Sequence, residues 1–185
     1  RGLGPNEHDG PYQEMGISLI LPPRSIQDLV NRADSIVIGT LGPVIRQGLE
    51  GPYDQANPDP RDVPAPRLRF TYYTVNVEQV LLNDGVILQA PTLRVFGRPP
   101  EYYNPGTKYL LTLSRNPDDK SYGPLVGGLG LLTIDGPAVA LPNGTPPDSV
   151  EALPSGAFLQ AVRASIETRQ PLDRREWPRV SFRDT

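Results

Sequence analysis

The sequence predicts a mainly β protein with flanking helices: a barrel of five to six mostly antiparallel strands, preceded by one helix and followed by another. Three observations favour this fold. Short alternating or β-branched segments recur along the chain, turn-forming residues separate them, and apolar residues at helical spacing occur near both ends. The chain has 185 residues, enough for a core, but its 23 Pro and 18 Gly predict extensive turns and irregular connections.

The first predicted element is a short amphipathic helix in the segment SIQDLVNRAD. Ser25 precedes Ile26, Leu29 and Val30, which follow at helical spacing. Asp28 stands three residues after Ser25, as in a capping pattern. We therefore expect a helix that begins just after Ser25.

Six strands are predicted beyond this helix. The segment RLRFTYYTVNVEQVLLNDG carries two apolar phases, because Phe70 and Tyr72 share one face and Tyr73 and Val75 share the other. Such a phase slip within a strand predicts a β-bulge or a strong coil, of the kind that bends a sheet into a barrel. The predicted strands are 36–41, 68–80, 92–97, 108–114, 129–134 and 138–141, with a long loop at 47–66 and a hairpin turn at Asp135-Gly136.

The best-defined strand lies in NPGTKYLLTLSRNPDD, residues 104–119. Tyr109, Leu111 and Leu113 alternate with more polar positions, and turn-forming residues stand at both ends. We expect these three side chains to be buried.

A second helix is predicted over SGAFLQAVRASIETR. Ser155 is its expected N-cap, and Phe158 and Val162 belong to the apolar face that packs on the sheet. The predicted organisation is a flexible leader (1–18), a single barrel domain with both helices (19–168) and a polar tail (169–185). Trp177 is the residue that could instead anchor the tail.

Composition narrows the function classes. The net charge of −3 and the pI of about 5.2 supply no overall attraction to nucleic acid, which is therefore an unlikely partner. The chain is free of cysteine, which excludes disulfides and thiolate chemistry. Its longest apolar run, near residues 16–23, is too short to span a bilayer. The sequence starts at Arg1 without an initiator Met, as expected after removal of a signal peptide or lipid anchor.

Catalytic and metal sites are not predicted, and neither is a cofactor. His8 is the sole histidine and lies in the predicted leader, where nothing would orient it as a general base. The glycines of GGLG (127–130) precede a β pattern rather than a helix, so they predict a close strand approach and not a phosphate site.

Two groups of oxygen-bearing side chains need a separate interpretation. They are Asp54, Asn57, Asp59 and Asp62 in the long loop, and Asn116, Asp118 and Asp119 after the fourth strand. Neither group has the spacing of a calcium-binding loop, so solvated turns are the expected role. Distant acids cannot be paired from one sequence, which leaves a carboxylate-based hydrolase open.

The loop GRPPEYYN is the candidate binding surface. Arg98 can donate several hydrogen bonds, and Tyr102 and Tyr103 can contact a partner from a backbone stiffened by two prolines. The alternative is that one tyrosine folds back over the end of the barrel.

The order of the segments ADSIVIGTL, TYYTVNVEQVLLND, LRVFG, YNPGTKYLLTL and GLGLLTIDG resembles a group of uncharacterised bacterial extracytoplasmic proteins. Their barrels are similar to OB-fold or netrin-like modules, the latter typified by tissue inhibitors of metalloproteases. The resemblance implies an OB-like barrel outside the cytoplasm that acts as a non-catalytic binding or protein-interaction module. Its partner would be a protein or a cell-envelope ligand, and no catalytic residue is carried over.

Three functions therefore compete: an extracytoplasmic interaction module, an oligonucleotide-binding barrel and a carboxylate-based hydrolase. An oligonucleotide-binding barrel would use Tyr and Arg side chains on the sheet face, and the acidic pI counts against it. The first function is the one that we expect.

Overall fold

The computed structural model describes residues 18–50, 68–84, 91–96, 102–116, 119–125, 129–148, 150 and 153–181. The strands are β1 (Ser18–Ile20), β2 (Ser35–Glu50), β3 (Leu68–Asn83), β4 (Thr92–Phe96), β5 (Lys108–Arg115), β6 (Tyr122–Pro124), β7 (Leu131–Thr133) and β8 (Arg179–Ser181). The helices are α1 (Ile26–Arg32) and α2 (Ser155–Glu167), and a 3₁₀ turn covers Arg174–Glu176. This element order confirms a mainly β fold with flanking helices.

Five strands close into a mixed barrel in the order β2-β3-β4-β6-β5, because β5 also pairs with β2. All of these pairs are antiparallel except β4 with β6. Strands β6 and β7 pair with the same edge of β5, β7 at residues 109–111 and β6 at residues 113–115. The closed barrel is compatible with the expected OB-like fold.

The long pair β2 and β3 curves the sheet through irregular register. Four shifts interrupt the ladder, and one of them lies where Val44 faces Tyr73 and Arg46 faces Tyr72. Ile45 is the extra residue at that point. The bulge expected from the phase slip is therefore present, and its extra residue lies on the neighbouring strand.

The barrel buries two separate apolar clusters, one on each side of its wall. The interior cluster contains Val37, Leu41, Tyr73, Val75, Leu93, Val95, Tyr103, Tyr109, Leu111, Leu113, Tyr122 and Leu131. The outer cluster joins the helices to β2 and β5 through residues such as Ile36, Leu110, Phe158 and Val162. Tyr109, Leu111 and Leu113 are almost fully buried, which confirms the prediction.

Both predicted helices are present. The Ser25 side chain accepts a hydrogen bond from the Asp28 backbone N–H at 3.0 Å, so Ser25 is the N-cap of α1 as predicted. Ser155 is not the N-cap of α2, because the helix already includes it and Pro154 takes the cap position. The Ser155 hydroxyl instead donates to the Gly136 carbonyl at 2.8 Å.

The predicted strands need correction at β2, at β6 and at 138–141, and the terminal strands β1 and β8 were not predicted either. Strand β2 extends to Glu50, well past the predicted end at 41, because the bulge absorbs the interruption at Gly42-Pro43. Strand β6 was not predicted, since three residues containing Gly and Pro carry no alternation. The predicted strand 138–141 forms isolated bridges instead, next to prolines that lack a backbone N–H.

The C-terminal segment 169–181 lies against α1 and ends in β8, which pairs with β1. Trp177 is 3% exposed and belongs to the outer cluster, so it fixes this segment to the domain. The Arg169 guanidinium donates to the carbonyls of Val30 and Ala33 at 3.1 and 2.8 Å. These bonds satisfy backbone acceptors at the C-terminal end of α1 that would otherwise lack partners.

Candidate functional site

A row of three side chains crosses the outer face of the barrel. Tyr72 on β3 lies opposite Arg46 on β2 and opposite Arg94 on β4. Residues directly opposite each other in a sheet project from the same face. Tyr73, the next residue along β3, points into the barrel interior, so the row Arg46–Tyr72–Arg94 faces outward.

The aromatic part of this surface lies beneath an arginine. The rings of Phe70 and Tyr72 meet edge-on, with centroids 5.3 Å apart. The guanidinium carbon of Arg46 lies 5.3 Å from the Phe70 ring centroid and 4.5 Å from that of Tyr72. Arg46 itself is exposed, so a cation–π contact holds a charged group at the surface above a nearly buried aromatic pair.

Asp119 connects this row to the turn between β5 and β6. Its Oδ2 atom accepts a hydrogen bond from the Tyr72 hydroxyl at 2.7 Å and one from Arg94 at 2.9 Å. Its Oδ1 atom accepts from the backbone N–H of Ser121 at 3.0 Å and also from the Ser121 hydroxyl. Each carboxylate oxygen therefore has two donors.

These contacts shift the pKa values of both acidic groups. Partial burial opposes ionisation of Asp119, but hydrogen bonds from Ser121 and Tyr72 and the charge of Arg94 outweigh it and lower the pKa to about 2. The pKa of the Tyr72 hydroxyl is raised, mainly by burial and then by its hydrogen bond to Asp119. At neutral pH the pair is a fixed carboxylate and a neutral phenol.

A groove of about 490 Å³ opens beside these groups. Its lining comprises Ile45, Arg46, Tyr72, Thr92, Asp119, Lys120 and Ser121. Ile45, the bulge residue, is 54% exposed and supplies an apolar rim. Within the described part of the chain, no carboxylate lies at ion-pair distance from Arg46 or Lys120. The groove thus combines two cations with apolar and aromatic surface.

A second hollow, of about 500 Å³, lies where the C-terminal segment meets α1 and the end of β5. Its charged lining comprises Arg32, Arg115 and Arg174 together with Asp34 and Asp173. Arg32 already forms an ion pair with Asp28, whereas Arg46 and Lys120 in the groove have no described carboxylate at ion-pair distance. The groove at Arg46 is therefore the better-defined site.

The described residues of the predicted binding loop, Tyr102 and Tyr103, do not line this groove. Arg98 is outside the described residues. Tyr103 is 4% exposed in the barrel interior, where its ring stands edge-on to Tyr73. Tyr102 is partly buried and packs edge-on against Tyr103. Tyr103 thus matches the alternative in which a tyrosine folds back into the barrel, and the binding role of Arg98 and Tyr102 stays a prediction.

The remaining sequence candidates add little to a site. His8, Asp118 and the group Asp54 to Asp62 lie outside the described residues. Asn116 donates to the Ser121 hydroxyl and so shares the turn that holds Asp119. The residues that the structure describes contain no group of three or more potential metal ligands. Gly130 approaches the Leu125 backbone closely, with 2.8 Å between that nitrogen and the place of a Cβ atom, as expected for these glycines.

Sequence reasoning missed the outward row because its members belong to three strands. The sequence predicts only a place in a strand for Tyr72. Arg46 lies between the predicted strand 36–41 and the predicted loop 47–66, so it belongs to neither. The one available signal was the phase slip at Tyr72 and Tyr73, which marks a strand with both faces covered.

Within the described ranges, no helix is long and apolar enough to cross a membrane. Comparison with models of known protein families and with curated proteins finds no match. The function is therefore argued from the groove itself.

Proposed function

We propose that the protein is a non-catalytic binding module that takes an anionic ligand in the groove beside Arg46, Tyr72 and Lys120. The observation that carries this proposal is one concave site that joins an aromatic surface to two cations, Arg46 and Lys120, neither of which forms an ion pair with a described carboxylate. Convergent polar groups beside apolar surface are typical of ligand sites.

The chemistry of the site favours binding over catalysis. A general base works best when its pKa lies near the operating pH. Asp119 has a pKa of about 2, so it is a poor proton acceptor at neutral pH. The raised pKa of Tyr72 keeps its hydroxyl protonated, as a hydrogen-bond donor. These two groups can position a ligand without moving a proton.

The partner that we propose is a protein or another component of the cell envelope. An interface anchored by Arg and Tyr side chains fits the composition of protein-binding hot spots. The location outside the cytoplasm rests on the family resemblance and is tested by fractionating cells of the source organism.

Oligonucleotide binding is the second candidate, because aromatic and arginine side chains lie together on the outer sheet face. OB-fold barrels bind nucleic acid through a sheet face and adjoining loops. The groove has this general form, since β3 and β4 adjoin the turn that carries Lys120. The acidic pI argues against strong binding of a polyanion.

The test is a titration followed by backbone amide chemical shifts. The probes are a blocked hexaglutamate peptide, single-stranded hexathymidylate and inorganic phosphate. We expect at least one probe to give saturable shifts at β2, β3 and residues 119–121, and the double variant Arg46→Ala/Lys120→Ala to abolish them. Arg174→Ala, which removes a cation from the second hollow, is the matched control and should leave the shifts unchanged.

Two results would contradict the proposal: no saturable response to any probe, or a response that the double variant retains. A steep loss of hexathymidylate affinity with added salt, without hexaglutamate binding, would favour the second candidate.

A further inference from the structure

We infer that the groove receives an acidic peptide segment, and that Asp119 occupies in advance the position of a carboxylate from that partner. This inference rests on the proposed function and adds the chemistry of the partner. In the bound state, the partner's carboxylate would take the hydrogen bonds of Tyr72 and Arg94, and the turn that carries Asp119 would move aside.

The donors and the acceptor of these bonds belong to different parts of the fold. Tyr72 and Arg94 lie opposite each other on β3 and β4 in the barrel wall. Asp119 lies in the connection between β5 and β6, and its Oδ1 bonds stay within that connection, at Ser121. Its Oδ2 atom joins the turn to both wall residues, because it accepts from the Tyr72 hydroxyl and from Arg94. Displacing that one oxygen would free a carboxylate-shaped site on the wall.

The turn is built with backbone strain that movement could release. Lys120, next to Asp119, has φ of 60°, in the left-handed region that L-residues seldom occupy. Such a conformation is strained and persists where surrounding contacts hold it. The hydrogen bonds of Asp119 are among those contacts.

The site is accessible from the groove. The Asp119 side chain is 30% exposed and the Arg94 side chain 11% exposed. A carboxylate that enters first meets Arg46 and Lys120, whose charges attract it. Arg94 does not itself line the groove, and it adjoins the groove through the Asp119 carboxylate that it binds.

Three features favour an acidic peptide over a nucleic acid. The existing occupant is a carboxylate, so the donors are already placed for carboxylate oxygens. Ile45 offers an exposed apolar rim that suits a side chain beside an acidic residue. The net charge of −3 would repel a long polyanion more than a short acidic segment.

The experiment compares wild type with Asp119→Asn by calorimetric titrations of blocked hexaglutamate and of hexathymidylate, with blocked hexaglutamine as the uncharged control probe. Asparagine keeps the shape of the side chain but removes the competing charge. A site blocked part of the time binds with an apparent affinity reduced by the fraction of time that it is open. We expect Asp119→Asn to bind hexaglutamate about tenfold more tightly, since a neutral amide holds Arg94 more weakly than a carboxylate.

Asp173→Asn is the matched control, because it neutralises an aspartate outside the groove and should leave the affinity unchanged. Melting temperature is recorded for every variant. If Asp119→Asn does not fold, Ser121→Ala serves as a second variant, because it removes a donor to Asp119 without a change of charge and should also tighten binding.

The possible results distinguish a failure of the Asp119 displacement from a failure of ligand binding in the groove. Equal or weaker hexaglutamate binding by a folded Asp119→Asn overturns the displacement of Asp119 but leaves the groove as a binding site. A gain in hexathymidylate binding without a gain for hexaglutamate overturns the peptide partner. If neither wild type nor any variant binds hexaglutamate, hexathymidylate or inorganic phosphate, the proposed function itself is overturned.

Discussion

The ring of Tyr103 stands edge-on against the ring of Tyr73 inside the barrel, with centroids 6.2 Å apart and planes at 90°. The loop that precedes β5 therefore contributes to the barrel core. Edge-to-face aromatic pairs stabilise a core by about 1 kcal/mol beyond their burial.

Replacement of Tyr103 is expected to destabilise the fold. Tyr103→Ala should lower the free energy of unfolding by about 3 to 5 kcal/mol, since it removes a large buried ring. Tyr102→Ala should cost markedly less, because Tyr102 is only partly buried. Urea denaturation followed by tryptophan fluorescence measures both. If the two variants were equally stable, Tyr103 would not be the core residue that its burial indicates.

Trp177 is expected to hold the C-terminal segment on the domain. The guanidinium carbons of Arg32 and Arg174 lie 5.7 and 5.4 Å from its ring centroid, and its Nε1–H donates to the Leu172 carbonyl. Trp177→Ala should cost about 3 to 5 kcal/mol of unfolding free energy and speed proteolytic cleavage within 169–181.

The matched control for this prediction is Arg163→Ala, at an exposed position on α2. It should change the free energy of unfolding by less than about 0.5 kcal/mol. Unchanged protease resistance in Trp177→Ala would show that the segment is held by its other contacts.

Asp119 is expected to make the free energy of unfolding vary with pH in the acidic range. Its pKa in the folded protein is about 2, below the ordinary value of 3.8. A lowered pKa stabilises the fold above the unfolded-state pKa, and this contribution is lost as pH falls through the folded-state value. The difference in unfolding free energy between wild type and Asp119→Asn should therefore shrink between about pH 5 and pH 2. We expect a difference on the order of 1 kcal/mol at pH 7, because solvent screens a partly exposed group.

Chemical denaturation of both proteins at a series of pH values measures this difference. Other acids titrate in both proteins and largely cancel. A pH-independent difference would contradict the role given to the Asp119 charge.

The sequence predicted those parts of the fold whose signal is local. Ser25 caps α1 because its side chain accepts from a backbone N–H only three residues further along the chain, and β5 alternates because one face lines the barrel. Strand β6 is three residues long and contains Gly123 and Pro124, so neither alternation nor composition marks it. Its pairing is determined by the neighbouring strands.

The site could not be predicted in the same way. Tyr72 and Asp119 are 47 residues apart in the chain, and their hydrogen bond depends on barrel closure. Arg46 reaches Tyr72 because a bulge at Ile45 shifts the register, which no pattern in β2 alone reveals. The role of Tyr103 could not be decided from the sequence for a related reason. A tyrosine in a loop has the same neighbours in the chain whether its ring contacts a partner or packs in the core.

The shortest strand pairing in the barrel wall is the parallel contact of β4 with β6, where Leu93 and Tyr122 form a single register pair. We expect so short a pairing to open before the other strand pairs. Its amide hydrogens should then exchange with solvent sooner than those between β2 and β3. Tyr122 directly follows the turn that carries Asp119. We therefore expect the hydrogen bonds of that carboxylate to Tyr72 and Arg94 to slow the opening of this contact, and a change at Asp119 to speed amide exchange there.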